Sequence, residues 1–138
     1  MIILDTNVVS ELMKAEPDPR VKNWLRAIDD TTLVTTAVTV MEIEYGIGRL
    51  PEGRRRRELK ARFATLAGAL AVLPLDGPAA FRAGQFRIDR ETAGFPSQPS
   101  DMMIAGIAAV AEASLATRNV KDFEGLPLRV VDPWQGPR

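Results

Sequence analysis

Four acidic side chains, Asp5, Glu42, Asp101 and Asp122, stand at positions from which they could do chemistry together. Asp5 closes the run Ile2-Ile3-Leu4 and opens the polar triplet Asp5-Thr6-Asn7. A short unbroken apolar run is the pattern of a strand buried on both faces of a parallel sheet. In such sheets the ligand site lies beyond the carboxyl ends of the strands, so a carboxylate there is a site candidate. Asp, Thr and Asn are also good helix caps, and Val8, Val9, Leu12 and Met13 read as the helix they would cap. Capping alone explains Asp5; a functional role depends on other acids reaching the same edge.

The elements predicted around the acids bring them there. Residues 33–36 read as a second strand, and Glu42 falls early in the helix that follows, over about 38–50. Asp101 is expected to open a small-residue helix running to about 113, with Ser100 as its cap. Asn119 and Asp122 follow a fourth strand at 114–117. Elsewhere, Asp18 and Pro19 start a helix whose apolar face is Val21, Trp24, Leu25 and Ile28. A helix over 54–70 leads to a third strand, 71–75, whose Pro74 marks an end or an edge. Asp76 caps a helix containing Phe81, Phe86 and Ile88, and 128–131 is a fifth strand. Strands alternating with helices imply right-handed crossovers, hence an α/β fold. The expectation is a three-layer α/β/α arrangement with a mostly parallel five-stranded sheet, as a single domain over residues 1–138. In that arrangement strand ends and the following helix starts share one edge, where Asp5, Glu42, Asp101, Asn119 and Asp122 converge.

Composition narrows the chemistry. The 138 residues include no Cys and no His. Disulfides, thiol or imidazole nucleophiles and nearly every protein zinc site are thereby removed. Acid–base or metal work falls to Asp and Glu. Basic and acidic residues balance to a net charge of zero, so any nucleic-acid contact rests on local patches. No apolar stretch approaches the ~18 residues of a membrane span, and the start lacks the charged opening of a signal peptide. A cytoplasmic location is the expectation.

Each acid has an ordinary explanation: a solvated helix face for Glu42, a helix-dipole position for Asp101, a turn for Asp122. Together they are harder to dismiss, because carboxylates crowded within a few ångströms repel one another and resist ionisation. A hard cation with oxygen ligands removes the conflict, and Mg²⁺ or Mn²⁺ suits such a pocket where Zn²⁺ does not. These ions activate water and clamp a displacement at phosphorus.

The order of motifs then becomes specific. Ile3-Leu4-Asp5-Thr6-Asn7, Glu42, Pro99-Ser100-Asp101-Met102-Met103-Ile104-Ala105, and residues Ala116 to Phe123 resemble the motif series of PIN-domain proteins. Asp18-Pro19-Arg20-Val21 and Val131-Asp132-Pro133-Trp134 resemble its VapC and FitB branch. The resemblance spans residues 2 to about 134. It implies a Mg²⁺- or Mn²⁺-dependent endoribonuclease, the toxin of a type II toxin–antitoxin pair, assembled as a homodimer with a cognate antitoxin. By position, it makes Asp5 and Asp101 the principal metal ligands and Glu42 a ligand or water-positioning base. The family's fourth acid often stands where this chain has Asn119, an amide that cannot act as a base at neutral pH; Asp122 is then expected to share the role. Thr6 and Thr117 are candidates for orienting carboxylates or solvent, and Asn7, Arg118 and Asn119 for touching substrate or supporting the ligands.

Two other readings compete. A haloacid-dehalogenase-like phosphatase also begins with a strand ending in Asp, but needs a second Asp where Asn7 stands. A PIN-like module that only binds RNA or an antitoxin would lack cleavage. For RNA contact the candidates are the run Arg54–Arg57, expected to lie away from the acids, and Arg87, Arg90 and Arg118, nearer the pocket loops. Trp24, Tyr45, Ile47 and Leu50 supply more apolar surface than one small face needs, which points to a dimer surface on helices of the first half.

Overall fold

The computed structural model describes residues 1–28 and 31–135; the remainder of the expected 1–138 span lies outside the described residues. Strand β1 (Ile2–Leu4) is its centre. Successive strand residues point to opposite faces. Ile3 accordingly joins a core with Phe86, Met102 and Leu115, while Leu4 joins a second core with Val8, Ile43 and Phe63. A three-residue strand that feeds two cores has no polar position to spare, which is the physical reason for its unbroken apolar run.

The chain continues through α1 (Thr6–Leu12), α2 (Pro19–Ala27), β2 (Leu33–Thr36), α3 (Ala37–Gly48), α4 (Arg54–Ala69), β3 (Ala71–Leu73), α5 (Gly77–Thr92), α6 (Pro99–Ala111), β4 (Ser114–Ala116), a 3₁₀ turn (Val120–Phe123) and β5 (Val130–Val131). The sheet runs β3-β2-β1-β4-β5, and each of these pairings is parallel. Helices cover both of its faces, the three-layer α/β/α arrangement expected from the sequence. The chain leaves β1 toward β2 on one side and returns to β4 on the other. Strand order therefore reverses between β1 and β4, and a crevice opens beyond their carboxyl ends. Asp5 follows β1 and Thr117 follows β4, so both stand at that point.

Several boundaries differ from the sequence reading. Strand β3 stops at Leu73, just before Pro74, and lies at the sheet edge, where a missing N–H costs least. Strand β5 is shorter than 128–131 and pairs through Val130 and Val131. Helix α6 starts at Pro99, with Gln98 rather than Ser100 at the N-cap. Proline is pre-set for the first helical position, so Asp101 is the third residue of α6 and not the first. Helices α5 and α6 pack very closely: a Cβ on Gly106 would sit 2.3 Å from the Ala79 carbonyl oxygen. That contact, with Met102 and Ile104 fully buried, fixes α6 and hence the place of Asp101.

Candidate active site

Asp5 is built into the switch point by local geometry. It is the N-cap of α1, and its Oδ1 accepts from the Thr6 N–H at 2.8 Å. Capping and function are thus not alternatives, because only one carboxylate oxygen is used by the cap. Oδ2 accepts from the Thr117 hydroxyl at 2.7 Å. Thr117 is fully buried, and its oxygen also accepts from the Asn7 side-chain amide at 3.1 Å and the Asn119 N–H at 3.1 Å. The Asn7 carbonyl oxygen in turn accepts from the Arg118 N–H at 3.0 Å. Thr6, Asn7, Thr117, Arg118 and Asn119 therefore form one continuous frame joining the ends of β1 and β4.

Glu42 is half-buried and tied to the same frame. Its Oε1 accepts from the Thr6 hydroxyl at 2.7 Å, so the residue that caps against Asp5 also holds Glu42. Thr39 stands 3.2 Å from the Thr6 hydroxyl, and its own N–H donates to the Thr36 hydroxyl, the N-cap of α3. Thr36 and Thr39 were not singled out from sequence. Their signal was a Ser/Thr cap with a second threonine three residues on, a spacing that reads as ordinary capping until Thr6 is known to lie opposite.

Electrostatics bring in the other two acids. Burial raises the Asp5 pKa above the ordinary value; hydrogen bonds from Thr117 and Thr6 oppose the rise, and the charges of Glu42 and Asp122 add to it. Asp101 is pushed up to about 6, first by burial and then by the charges of Asp5, Asp122 and Glu42, with Arg90 acting the other way. Asp5 and Asp101 thus both feel the charges of Glu42 and Asp122 at the crevice. Asp122 lies exposed on the 3₁₀ turn, where its N–H donates to the Asn119 carbonyl at 3.0 Å. Asn119 enters the frame through its backbone, and the negative charge of this segment is supplied by Asp122.

A PIN-domain model matches residues 2–126, nearly the whole chain. The chain belongs to the PIN-domain family. A VapC ribonuclease of Sinorhizobium fredii is 38% identical over 138 residues, covering 98% of this chain and 99% of that one. The toxin FitB of Neisseria gonorrhoeae is 32% identical, covering 97% and 99%. A structure described as FitAB bound to an IR36 DNA fragment superposes with a TM-score of 0.88 at 31% identity, covering 100% of this chain and 99% of that one. Membership in this family displaces the dehalogenase-like reading. Asn7, where that chemistry needs an acid, is instead engaged in the β1–β4 frame.

The donor set of this PIN domain is all oxygen, which fits a hard divalent cation. Among the described residues no three acids lie close enough to enclose an ion unaided. An ion held by one or two of these carboxylates would take the rest of its shell from water and substrate phosphate, as Mg²⁺ does.

The basic residues sort differently from the sequence expectation. Arg90 is 3% exposed and its guanidinium donates to backbone carbonyls, so it is not an RNA contact. Arg118 is exposed beside the pocket and lies over the Trp134 ring at 5.0 Å, a cation–π contact that orients it. Arg87 is exposed on α5. Arg55, of the Arg54–Arg57 run, lines a cleft of about 360 Å³ that begins at Thr6 and Glu42 and passes Gly46 and Leu50. The cleft runs along α3 from Glu42 toward Leu50, with Arg55 and Leu59 of α4 on its other side. Of the apolar surplus in the first half, Trp24 and Ile47 are core residues at 8% and 6% exposure, whereas Met41 and Tyr45 of α3 stand on the surface.

Proposed function

We propose that this PIN-domain chain is a Mg²⁺- or Mn²⁺-dependent endoribonuclease acting as the toxin of a toxin–antitoxin pair. The observation that carries the reading is the built acid frame at the β1–β4 switch point, where Thr117 and Thr6 hold Asp5 and Thr6 holds Glu42; the charges of Glu42 and Asp122 reach both Asp5 and Asp101 there. The VapC ribonuclease relative, aligned over almost its full length, supports RNA as the substrate. A divalent ion, when bound, activates water and stabilises the charge that develops at phosphorus.

Asp5 and Asp101 would hold that ion, with Asp122 contributing charge from the 3₁₀ turn. Thr117 and Thr6 keep Asp5 in a single orientation, each taking one carboxylate oxygen. Glu42 has Oε1 fixed by Thr6, so its other oxygen is available to position water and accept its proton. Arg118, held over Trp134, contacts an RNA phosphate at the rim. RNA hydrolysis of this kind belongs in the cytoplasm.

The relative named toxin FitB, and the structural neighbour solved as FitAB on DNA, support a protein antitoxin as the partner. A homodimer is part of the same reading, on a different surface from that expected. Phe81 and Ile88 on α5 are 70% and 65% exposed, one turn either side of Gln85 and flanked by Arg82 and Asp89. Two copies of α5 packed antiparallel would face Arg82 with Asp89 around Phe81 and Ile88. Sedimentation at micromolar concentration should give a dimer, and Phe81→Asp a monomer.

The decisive experiment is incubation of the purified chain with RNA, with and without Mn²⁺, beside Asp5→Asn. Mn²⁺-dependent cleavage lost in Asp5→Asn is the expected outcome. RNA retention without cleavage under any metal condition favours the binding module instead.

A further inference from the structure

Asp101 is placed by the close packing of α6 and Asp122 by the turn that follows Asn119, but the frame around Asp5 and Glu42 does not tie these two segments to each other. Asp101 lies in the first turn of α6, behind the loop that leads into it, and Asp122 on the 3₁₀ turn after β4. One side chain reaches both that loop and the turn. Arg90, near the end of α5, donates from Nε to the Pro96 carbonyl at 3.0 Å, just before α6. Its Nη1 donates to the Glu124 carbonyl and its Nη2, at 3.5 Å, to the Lys121 carbonyl, on either side of Asp122 and Phe123. The Phe95 ring lies 4.9 Å from the guanidinium carbon, and the Phe95 N–H donates to the Arg90 carbonyl at 2.8 Å. Phe123, fully within the core, seats the turn from the other side.

A buried arginine is costly unless its donors and charge are satisfied. None of the ion pairs among the described residues involves Arg90. Its donors are met by backbone carbonyls, and its charge lies within range of Asp101. A residue serving only to tie down loops would do so more cheaply as a neutral donor.

Resting on the metal-nuclease reading above, we infer that Arg90 is a positioning residue that holds the Asp101 and Asp122 segments as one unit, presenting both carboxylates to a divalent ion. The planar fork is essential. Lysine keeps the charge but has a single ammonium that cannot span the carbonyls of both segments at once. Arg90→Lys should therefore lose cation affinity while keeping the fold.

The test is a calorimetric Mn²⁺ titration of the full chain and of Arg90→Lys and Arg90→Met. It is read with RNA cleavage against Mn²⁺ concentration and with amide hydrogen exchange over residues 95–102 and 119–124. The expected result is an apparent Mn²⁺ dissociation constant raised at least about tenfold in both variants, the range for residues that orient ligands. Cleavage by Arg90→Lys should return to the wild-type rate at saturating Mn²⁺, and exchange should quicken in both segments together. An Arg90→Lys chain that shares the wild-type Mn²⁺ midpoint overturns the positioning role, whatever its melting temperature. Quickened exchange in only one segment overturns the claim that they form one unit. If Arg90→Met fails to fold, Arg90→Lys decides alone. A wild-type chain with no Mn²⁺ midpoint overturns the metal reading itself, and this inference with it.

Discussion

The acid site has two halves made in different ways. On the β1–α3 side, Asp5 and Glu42 are gripped by hydrogen bonds: from the Thr117 hydroxyl and the Thr6 N–H to Asp5, and from the Thr6 hydroxyl to Glu42. On the α6 side, Asp101 is shifted by burial and by its acidic neighbours; the Arg90 charge opposes them, and among the described residues no hydrogen bond to its carboxylate does. Hydrogen bonds to an ionised carboxylate favour its charge, whereas burial among like charges disfavours it. The first half is thus organised before any ligand arrives. The second half lacks such bonds, and in both halves burial and like charge raise the carboxylate pKa, a cost that a cation would relieve. A site divided in this way fixes one carboxylate by hydrogen bonds and the other by helix packing, with a cation ligand in each half.

The largest test of that division is to remove charge from the organised half. Asp5→Asn should lower cleavage more than about 100-fold, beyond the range for residues that merely support ligands. The fold should persist, since Asn caps a helix about as well as Asp. If Asp5 were only a cap, cleavage would be unchanged.

Removing a hydroxyl instead of a charge should cost less. Thr117→Val deletes the donor to Asp5 and the acceptor of Asn7 and Asn119 inside a buried site. A loss of about 1–3 kcal/mol in stability is expected from the unpaired groups. Cleavage should fall about tenfold, as for other orienting contacts. Denaturant melts and initial rates on the same preparation check both, and a fall in stability with full activity would break the link between frame and function.

The α6 half should reveal itself through pH. Asp101 titrates at about 6 in the folded chain against an ordinary 3.8. Between those values the folded state holds more protons than the unfolded one, so stability falls as pH rises. After solvent screening of a half-exposed group, the drop from pH 4 to pH 7 is on the order of 1 kcal/mol in the metal-free chain. Asp101→Asn should flatten it. Cation binding needs the ionised form, so Mn²⁺-dependent cleavage should weaken below about pH 6.

The smallest effect is expected from the basic run on α4. Arg55→Gln should change cleavage by about twofold or less at 0.15 M salt, where charges farther than ~8 Å are screened. Arg118→Gln, beside the pocket, should raise KM by more than that. Equal effects from the two would place the RNA along the α4 cleft instead.

How much of this was written in the sequence follows the same division. Asp5, Thr6 and Glu42 lie at strand ends or early in helices, so the alternation of strands and helices was enough to bring them to one edge. Asp101 was assigned to the right edge but the wrong helix position, because Ser100 resembles a cap and Pro99 takes the first turn instead. Arg90 looked like a solvent-facing cation. Its burial depends on carbonyls at Pro96, Lys121 and Glu124, between 6 and 34 residues away, and no local pattern records such partners. Trp24 and Ile47 were read as surplus because helix periodicity shows that a face is apolar, not what covers it; here α2 and α3 cover the lower core with Leu4 and Phe63.

The central claim is that Asp5 and Asp101, with Glu42 and Asp122 beside them, take one cation, and thermal unfolding with and without Mn²⁺ tests it most directly. Binding to the folded state alone should stabilise the wild-type chain by about 2.7 kcal/mol at a hundredfold excess over the dissociation constant. Asp101→Asn should lose most of that gain while melting no lower than wild type without metal. A wild-type melting temperature that Mn²⁺ leaves unmoved, or an equal rise in Asp101→Asn, would contradict the account.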